Sequence, residues 1–391
     1  MMRNNNKKEL EIYIHIPFCV RKCNYCDFLS FPEKDAVKDV YMEAINREIK
    51  MKSKQYKDYQ VISVFIGGGT PTAVKPEWIY RTMETLKGCF ELSLEAEITM
   101  EMNPGTLQKE ALELYGRAGI NRLSIGLQSA EDTQLKRLGR IHTYEQFLDT
   151  YKKVREAGFE NVNVDLMSGL PGQSIESWKL TLEKVLALNP PPEHISAYSL
   201  IVEEETPFFD AFQAGELELP QEEEERQMYH ITKEVLKGHG YERYEISNYG
   251  KKGKECNHNL GYWQRKNYVG FGIGAASMVE NVRFSNGTDL KAYLKNPCDC
   301  VENRQVLSKA EQIEETMFLG LRMTEGVSCS KFQAQFKTSV WEIYGRVLDK
   351  YKKNGLMEMY ERDGEGFVRL TEAGMDVSNY VMADFMDPYG E

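Results

Sequence analysis

Short apolar runs alternate with amphipathic stretches over the first half of the chain. Six runs have the apolar patterning of strands, and they lie at residues 11–16, 61–66, 96–102, 122–128, 161–167 and 194–201. Helical stretches separate them, including one over 35–54 and one that begins at Pro76, a residue favoured in the first turn of a helix. This alternation predicts an α/β protein with a parallel sheet and crossover helices. Because a complete (β/α)8 barrel needs eight units, six units predict a partial barrel or an open parallel sheet.

The pattern changes after residue 201. A helix is predicted over 220–240, and its first-turn acids, Glu222 to Glu225, suit the positive end of the helix dipole better than a functional acidic patch. Residues 241–300 are rich in Tyr, Gly and Asn and are expected to be irregular. From about residue 309 the order helix, helix, hairpin, helix is typical of a winged-helix domain. The sequence thus predicts three units, namely 1–220, 221–305 and 306–391.

Composition and charge argue against several classes of function. The 391 residues are 41% hydrophobic and 28% charged, as in ordinary globular proteins. A net charge of -11 argues against general nucleic-acid binding, because domains that bind nucleic acids usually carry clusters of Lys and Arg. No apolar stretch of signal-peptide length follows the basic N-terminal segment, and no apolar run is long enough to span a membrane. We therefore expect a cytoplasmic protein, with peripheral membrane contact left open.

Three cysteines, Cys19, Cys23 and Cys26, fall within eight positions of the chain. Without an export signal, such a cluster indicates metal binding or catalysis rather than disulfides. A structural zinc site needs four ligands, and the nearby His15 lies within the first strand rather than on a return loop. Iron–sulfur clusters usually take four thiolates, so three would leave one iron open to an outside ligand. Three unrelated core thiols would not be expected in one short loop, and the iron–sulfur interpretation is favoured.

Polar and glycine residues recur where the predicted strands end. Gly67 to Gly69 follow the second strand, Glu101 ends the third, Gln128 ends the fourth and Asp165 lies in the fifth. Because the carboxyl ends of parallel strands meet at one edge, these residues and the cysteine loop predict a shared pocket. The glycines lack the Lys-Ser/Thr of a phosphate-binding loop. They instead let the backbone approach a ligand closely, with carbonyls that can accept hydrogen bonds from an ammonium group.

Five segments together resemble the radical S-adenosylmethionine (radical SAM) superfamily: "YIHIPFCVRKCNYC", "GGGTPT", "EMNP", "IGLQS" and "DLMSGLPGQ". They are most similar to the branch that contains oxygen-independent coproporphyrinogen dehydrogenase (HemN) and the heme chaperone HemW. The resemblance covers nearly the whole chain. It implies a partial (β/α)6 radical SAM barrel in 1–220, a connecting region in 221–305, and a mostly helical, winged-helix-like C-terminal domain in 306–391.

The resemblance also implies the cofactors. Cys19, Cys23 and Cys26 would bind a [4Fe–4S] cluster, and the amino and carboxylate groups of SAM would occupy its open iron. In such proteins an electron from the cluster can cleave the sulfonium of SAM to a 5′-deoxyadenosyl radical. Arg140 suits the methionine carboxylate, and Gln128 and Asp165 suit ribose hydroxyls. The positions that match SAM contacts are Tyr13, Gly68, Gly69, Thr70, Glu101, Gln128, Arg140 and Asp165.

This sequence departs from the HemN pattern at two points. HemN carries a further cysteine at the position of Phe28, and it has a longer segment before its cluster loop. The segment "HNLGYW", from His258 to Trp263, resembles the H-N-x-x-Y-W signature that is linked to heme binding in HemW-type proteins. His258 is therefore the predicted heme ligand, because His is a common axial ligand, and Cys256 is an alternative.

The resemblance thus implies a heme chaperone that passes heme to partners such as respiratory proteins at the membrane. The cluster and SAM would support assembly, dimerisation or transfer, and a homodimer is left open. The alternative is an enzyme that decarboxylates coproporphyrinogen III. A third hypothesis is another radical reaction on a tetrapyrrole. The sequence leaves open whether the protein is an enzyme.

Overall fold

The computed structural model describes residues 7–107 and 110–386, so the first six residues of the basic N-terminal segment lie outside it. Six parallel strands are neighbours in chain order within one sheet, which confirms the predicted α/β fold with six units. The strands are β1 (Lys8–Ile16), β2 (Tyr59–Gly68), β3 (Glu91–Met102), β4 (Arg122–Gln128), β5 (Val162–Ser168) and β6 (His194–Ser199). The helices between them are α1 (Asp35–Lys52), α2 (Pro76–Cys89), α3 (Ala111–Ala118), α4 (Asp132–Arg137), α5 (Tyr144–Glu156) and α6 (Ile175–Leu186).

The main core lies between this sheet and its helices. Ile12 and Val64 of the sheet and Ile45 and Ile49 of α1 are completely buried. Every residue of β4 is buried, as expected for a strand covered on both faces. Burying one such aliphatic side chain contributes about 1.5–3 kcal/mol, so many of them together fix the register of the strands. Within the described ranges, no helix is both long and apolar enough to cross a membrane.

The expectation that 241–300 is irregular is wrong. The elements that follow β6 are α7 (Pro207–Gln213), α8 (Glu222–Gly238), β7 (Glu242–Arg243), β8 (Asn248–Gly250), α9 (Asn257–Trp263), β9 (Tyr268–Phe271), β10 (Ala276–Val279), β11 (Val282–Asn286), α10 (Leu290–Lys295) and β12 (Val301–Val306). The strands of 241–300, together with β12 directly after them, extend the sheet at both edges, and its order is β12-β11-β10-β9-β1-β2-β3-β4-β5-β6-β8-β7. The added strands are two to six residues long, too short for a clear periodic pattern.

The C-terminal part has its own core and a three-stranded sheet in the order β13-β15-β14. The elements are α11 (Lys309–Gly320), β13 (Val327–Ser328), α12 (Cys329–Phe336), α13 (Val340–Lys353), β14 (Met357–Arg362), β15 (Glu365–Leu370), α14 (Glu372–Asp376) and α15 (Ser378–Ala383). The predicted elements are present as α11, α13, the hairpin of β14 and β15, and α14, while β13 and α12 were not predicted. The final helix is divided at Val377, whose φ of -120° is not helical.

Helix α9 lies directly on β1 because Gly261 has no side chain. A Cβ atom at position 261 would overlap the carboxyl group of Glu11, which is completely buried. Within the part of the chain that the structure describes, neither carboxyl oxygen of Glu11 has a hydrogen-bond partner of good geometry. Burial raises the pKa of Glu11 from 4.5 to about 8, so this carboxyl is mostly protonated at neutral pH. The charge of Lys266 and the hydroxyl of Ser63 lower the pKa of Glu11, but less than burial raises it.

The replacement Glu11→Gln should stabilise the protein more at high pH than at low pH. The folded-state pKa of Glu11 lies above its ordinary value, so the folded protein binds the proton more tightly than the unfolded chain. This contribution to the free energy of unfolding is complete below about pH 4.5 and is lost as the pH rises through about 8. The measurement is urea denaturation of both proteins at about pH 5 and about pH 8.5.

Gln cannot ionise, so the stability difference between variant and wild type should grow with pH. Other titrating groups cancel in that difference because both proteins contain them. An equal difference at the two pH values would contradict the assignment of a buried, neutral Glu11.

Candidate functional site

The cysteine loop lies between β1 and α1 and is closed at its base. Phe31 N donates to Pro17 O at 2.8 Å, and Cys19 N donates to Phe31 O at 3.1 Å. The ring of Phe18 packs edge-on against the rings of Phe31 and Tyr41. These contacts fix both ends of the loop, so the three cysteines project from a rigid base.

The same loop is attached to the segment that follows α4. Arg21 donates to Gly139 O at 3.1 Å from Nε and at 2.6 Å from Nη2. Asn24 N donates to Leu138 O at 3.0 Å, and Asn24 Nδ2 donates to Arg137 O at 2.8 Å. The cysteine loop is therefore held against the end of α4. This helix belongs to the strand–helix unit that carries Gln128 and leads to Arg140.

A single cavity of about 440 Å³ lies at the carboxyl ends of the strands. It brings together most of the residues that the sequence predicts. The predicted residues that line it are Cys19, Cys23, Cys26, Gly68, Gly69, Thr70, Glu101, Gln128, Arg140 and Asp165. Tyr13 and His258 do not line it, and both line a neighbouring cavity of about 210 Å³ that also includes Glu101 and Asp165.

The three thiols lie near polar partners and near one another. Burial raises the pKa of Cys26, and the charges of Cys23 and Cys19 raise it further. Cys19 Sγ lies 3.6 Å from Thr70 Oγ1, and Arg140 Nη1 lies 3.7 Å from Cys23 Sγ. Across the described residues, no group of three or more His, Cys, Asp or Glu side chains converges on a single metal ion. The three thiols of this loop fit a cluster, in which each thiolate binds a different iron.

The glycine segment after β2 packs closely against the base of the cysteine loop. Gly69 N donates to Ile16 O at 2.8 Å, and a Cβ atom at 69 would lie 2.8 Å from Phe18 O. Gly68 has a φ of +113°, a conformation that side chains rarely adopt. Its amide donates to Glu101 Oε2 at 3.2 Å. The backbone of Gly68 and Gly69 can therefore line the cavity where side chains would fill it.

Two buried carboxyl groups, those of Glu101 and Asp165, face the cavity. Burial raises the pKa of Glu101 to about 8, and the charge of Asp165 adds to this shift. Asp165 accepts hydrogen bonds from Ser124 Oγ at 2.9 Å and from Asn163 Nδ2 at 2.8 Å. Burial raises the pKa of Asp165 as well, while these hydrogen bonds lower it. The pair suits ligand groups that can donate hydrogen bonds, such as hydroxyl or ammonium groups.

Gln128 has a backbone conformation that its residue type rarely takes. Its φ is +71°, and the pairing of β4 with β5 shifts register between Gly126 and Gln128. A bulge of this kind redirects a side chain at the end of a strand. Such backbone strain in a buried residue is typical of ligand sites.

Asn103 and Arg122 are site residues that the sequence reasoning missed. Asn103 connects two predicted residues, since Arg140 Nη2 donates to Asn103 Oδ1 at 2.6 Å and Asn103 Nδ2 donates to Thr70 Oγ1 at 2.7 Å. The sequence feature that could have identified Asn103 is its position in "EMNP", directly after β3. Arg122 is 2% exposed and lines the smaller cavity with His258, and its Nε has no hydrogen-bond partner among the described residues. Arg122 is the first residue of β4, and an arginine at the start of an apolar strand does not by itself indicate a ligand site.

His258 lies in a short helix rather than in an open loop. It is 1% exposed, and its ring stacks on Phe65 with the ring centres 5.2 Å apart. Its Nδ1 lies 2.8 Å from Ser63 Oγ, and its Nε2 lies 3.1 Å from Tyr262 Oη. Burial, with help from the charge of Arg122, lowers the pKa of His258 to about 3. The imidazole is therefore neutral, and both of its nitrogens already have protein partners.

The alternative ligand Cys256 is also enclosed. It is completely buried, and burial raises its pKa to about 12, so the thiol keeps its proton at neutral pH. Its Sγ lies 3.5 Å from Glu97 Oε1, and Glu97 also accepts from the backbone amides of Asn257 and His258. Cys256 thus helps to hold α9 on β3.

Comparisons with known proteins agree with this architecture. The model of the radical SAM superfamily matches residues 13–185, and the model of the HemN C-terminal domain matches residues 307–377. A protein of Bacillus subtilis named heme chaperone HemW is 37% identical over 96% of this chain and 98% of its own length. One of Lactococcus lactis with the same name is 35% identical over 97% of this chain and 98% of its own length.

Among solved structures, coproporphyrinogen III oxidase (HemN) from Escherichia coli, described as a radical SAM enzyme, has a similar fold. The TM-score is 0.83, with 23% identity over 98% of this chain and 91% of that chain. At this identity the similarity concerns the fold alone. The full-length relatives decide the family: the chain belongs to the radical SAM superfamily and, within it, to the family of heme chaperone HemW.

Proposed function

We propose that this chain is a cytoplasmic heme chaperone that binds heme and delivers it to heme-requiring proteins, including respiratory proteins at the membrane. The observation that carries the proposal is the position of the "HNLGYW" segment. It forms α9, which lies on β1 and β2 beside the cysteine-lined cavity, in a chain whose full-length relatives are named heme chaperones. Heme would therefore bind next to the cofactors of the barrel.

The barrel would hold a [4Fe–4S] cluster and SAM, as its superfamily implies. Cys19, Cys23 and Cys26 would bind the cluster, which when present supplies an electron to SAM. Arg140 lies 3.7 Å from Cys23 Sγ, so its guanidinium can contact a carboxylate placed at the open iron. Glu101 and Asp165 would accept hydrogen bonds from the amino and ribose groups. The remaining SAM contacts would come from Gly68, Gly69, Thr70, Gln128 and, from the neighbouring cavity, Tyr13.

In this proposal His258 acts through Tyr262. The nitrogens of His258 contact Ser63 and Tyr262, and the imidazole is 1% exposed. Tyr262 is only half-buried and lines two cavities, so its side chain can reach a ligand without rearrangement of α9. His258 would orient the phenol of Tyr262, which is itself an oxygen ligand that heme proteins use.

The replacements His258→Ala and Tyr262→Phe should each weaken heme binding. We expect a loss of about tenfold or more in affinity, about 1.4 kcal/mol, because each removes one partner of the His258–Tyr262 hydrogen bond. The measurement is an absorption titration of each variant with ferric heme. The matched controls are His239→Ala and Tyr380→Phe, which change exposed residues of the same types. Wild-type affinity in both test variants would exclude α9 from the heme site.

Reconstituted protein should not convert coproporphyrinogen III. Phe28 stands where the decarboxylase carries its further cysteine, so an element of that site is absent from this sequence. The anaerobic protein would be incubated with SAM, a reductant and coproporphyrinogen III, with HemN of Escherichia coli as the positive control. Formation of protoporphyrinogen would replace the chaperone proposal with a decarboxylase.

A further inference from the structure

A second large cavity, of about 530 Å³, lies outside the barrel opening between three parts of the fold. The strand end of β1 forms one side, α9 with β10 and β11 forms another, and α11 of the C-terminal domain covers the third. Its size falls within the roughly 300–1,000 Å³ that is typical of cofactor and small-molecule sites. It thus has room for a ligand much larger than an ion or a water cluster.

The walls of this cavity are aromatic to an unusual degree. The aromatic side chains that line it beside Tyr13 are Phe28, Tyr262, Trp263, Tyr268 and Phe318. Tyr262 and Tyr268 are packed edge to face with ring centres 4.7 Å apart. Phe28 is 64% exposed, an unusual state for a large apolar residue next to a cavity. Walls of this kind suit a flat, apolar ring system, which gains both burial and ring contacts.

One cation lies among these walls. Arg283 lines the cavity and remains 41% exposed while its Nη2 lies 2.7 Å from Glu315 Oε1. The other oxygen of Glu315 is 2.9 Å from Nε of Arg265. Two guanidinium groups share one carboxylate, so Arg265, Arg283 and Glu315 together carry one positive charge. A second carboxylate, supplied by a ligand, would complete the pairing of Arg283.

The cavity also adjoins the cysteine-lined cavity. Phe28, Gly68 and Glu101 line both, and Tyr262 connects it to the smaller cavity that contains His258. A ligand here would lie beside the cofactors without entering the barrel.

We propose that this cavity is the site of the iron porphyrin, with the aromatic walls on the faces of the macrocycle and Arg283 paired with one propionate. The inference rests on the proposed heme-binding function and adds to it a location and an anchoring residue. The ligand class is a flat tetrapyrrole that carries carboxylates.

Two kinds of variant test the location. Arg283→Ala removes the cation, and Glu315 keeps its pair with Arg265, so the fold should persist. Ala276→Trp fills the cavity from an exposed position on β10. The matched controls are Arg304→Ala and Ala383→Trp, which change exposed residues that do not line the cavity. Thermal unfolding checks that every variant is folded.

The probes are ferric heme and its dimethyl ester, which lacks the propionate charges. Wild-type protein should bind heme more tightly than the ester by about tenfold or more, as for a charge-assisted hydrogen bond. Arg283→Ala should lose this preference, and Arg283→Lys should keep part of it. Ala276→Trp should weaken binding of both probes, and the two controls should match the wild type.

The outcomes separate this inference from the function on which it rests. If wild-type protein binds heme and neither Arg283→Ala nor Ala276→Trp differs from its control, the location is wrong and the chaperone proposal stands. If Ala276→Trp weakens binding while Arg283→Ala keeps the preference for heme, the cavity is correct and the anchor is wrong. If folded wild-type protein does not bind heme, both proposals fail.

Discussion

The site depends on the register of six parallel strands. Ile16 at the end of β1 pairs beside Gly68 at the end of β2, so the cysteine loop and the glycine segment leave the sheet at the same level. Burial of the strands on both faces fixes this register, because a slip of one residue would turn every side chain to the opposite face. The same pairing places Glu101, Gln128 and Asp165 along one rim. Hydrophobic burial in the sheet therefore determines where the polar site lies.

Charge is distributed unevenly around that rim. Arg140 lies next to Cys23, with its Nη1 3.7 Å from Cys23 Sγ. On the side of α9, burial keeps His258 neutral and keeps the Cys256 thiol protonated. The barrel side is thus suited to a charged cofactor and cluster. The outer side is suited to a flat apolar ligand whose charged groups remain near the surface.

Much of the barrel could be predicted because its signals are local. Each parallel strand is an apolar run with a polar residue or glycine at its end, and the three cysteines are close in sequence. The short strands β7 to β12 could not be predicted in this way, because strands of two to six residues hardly establish a period. Residues such as Asn103 acquire a role only through long-range contacts, here with Arg140 and Thr70.

The placement of Tyr13 and His258 shows the same limit. Both match family motifs, yet which cavity a side chain faces is decided by tertiary packing. Tyr13 faces the cavities next to the one lined by the cysteines. The ring of His258 is held by Ser63 and Tyr262, a contact between β2 and α9 that has no counterpart in the sequence pattern.

If the three cysteines bind a cluster, its fourth iron is left to SAM. Electron paramagnetic resonance of the anaerobically reconstituted, reduced protein, with and without SAM, tests it most directly. The account predicts about four irons per chain, a cluster signal that SAM alters, and loss of that signal in Cys23→Ala but not in Cys329→Ala. A cluster signal that SAM leaves unchanged, or a cluster that survives in Cys23→Ala, would contradict it.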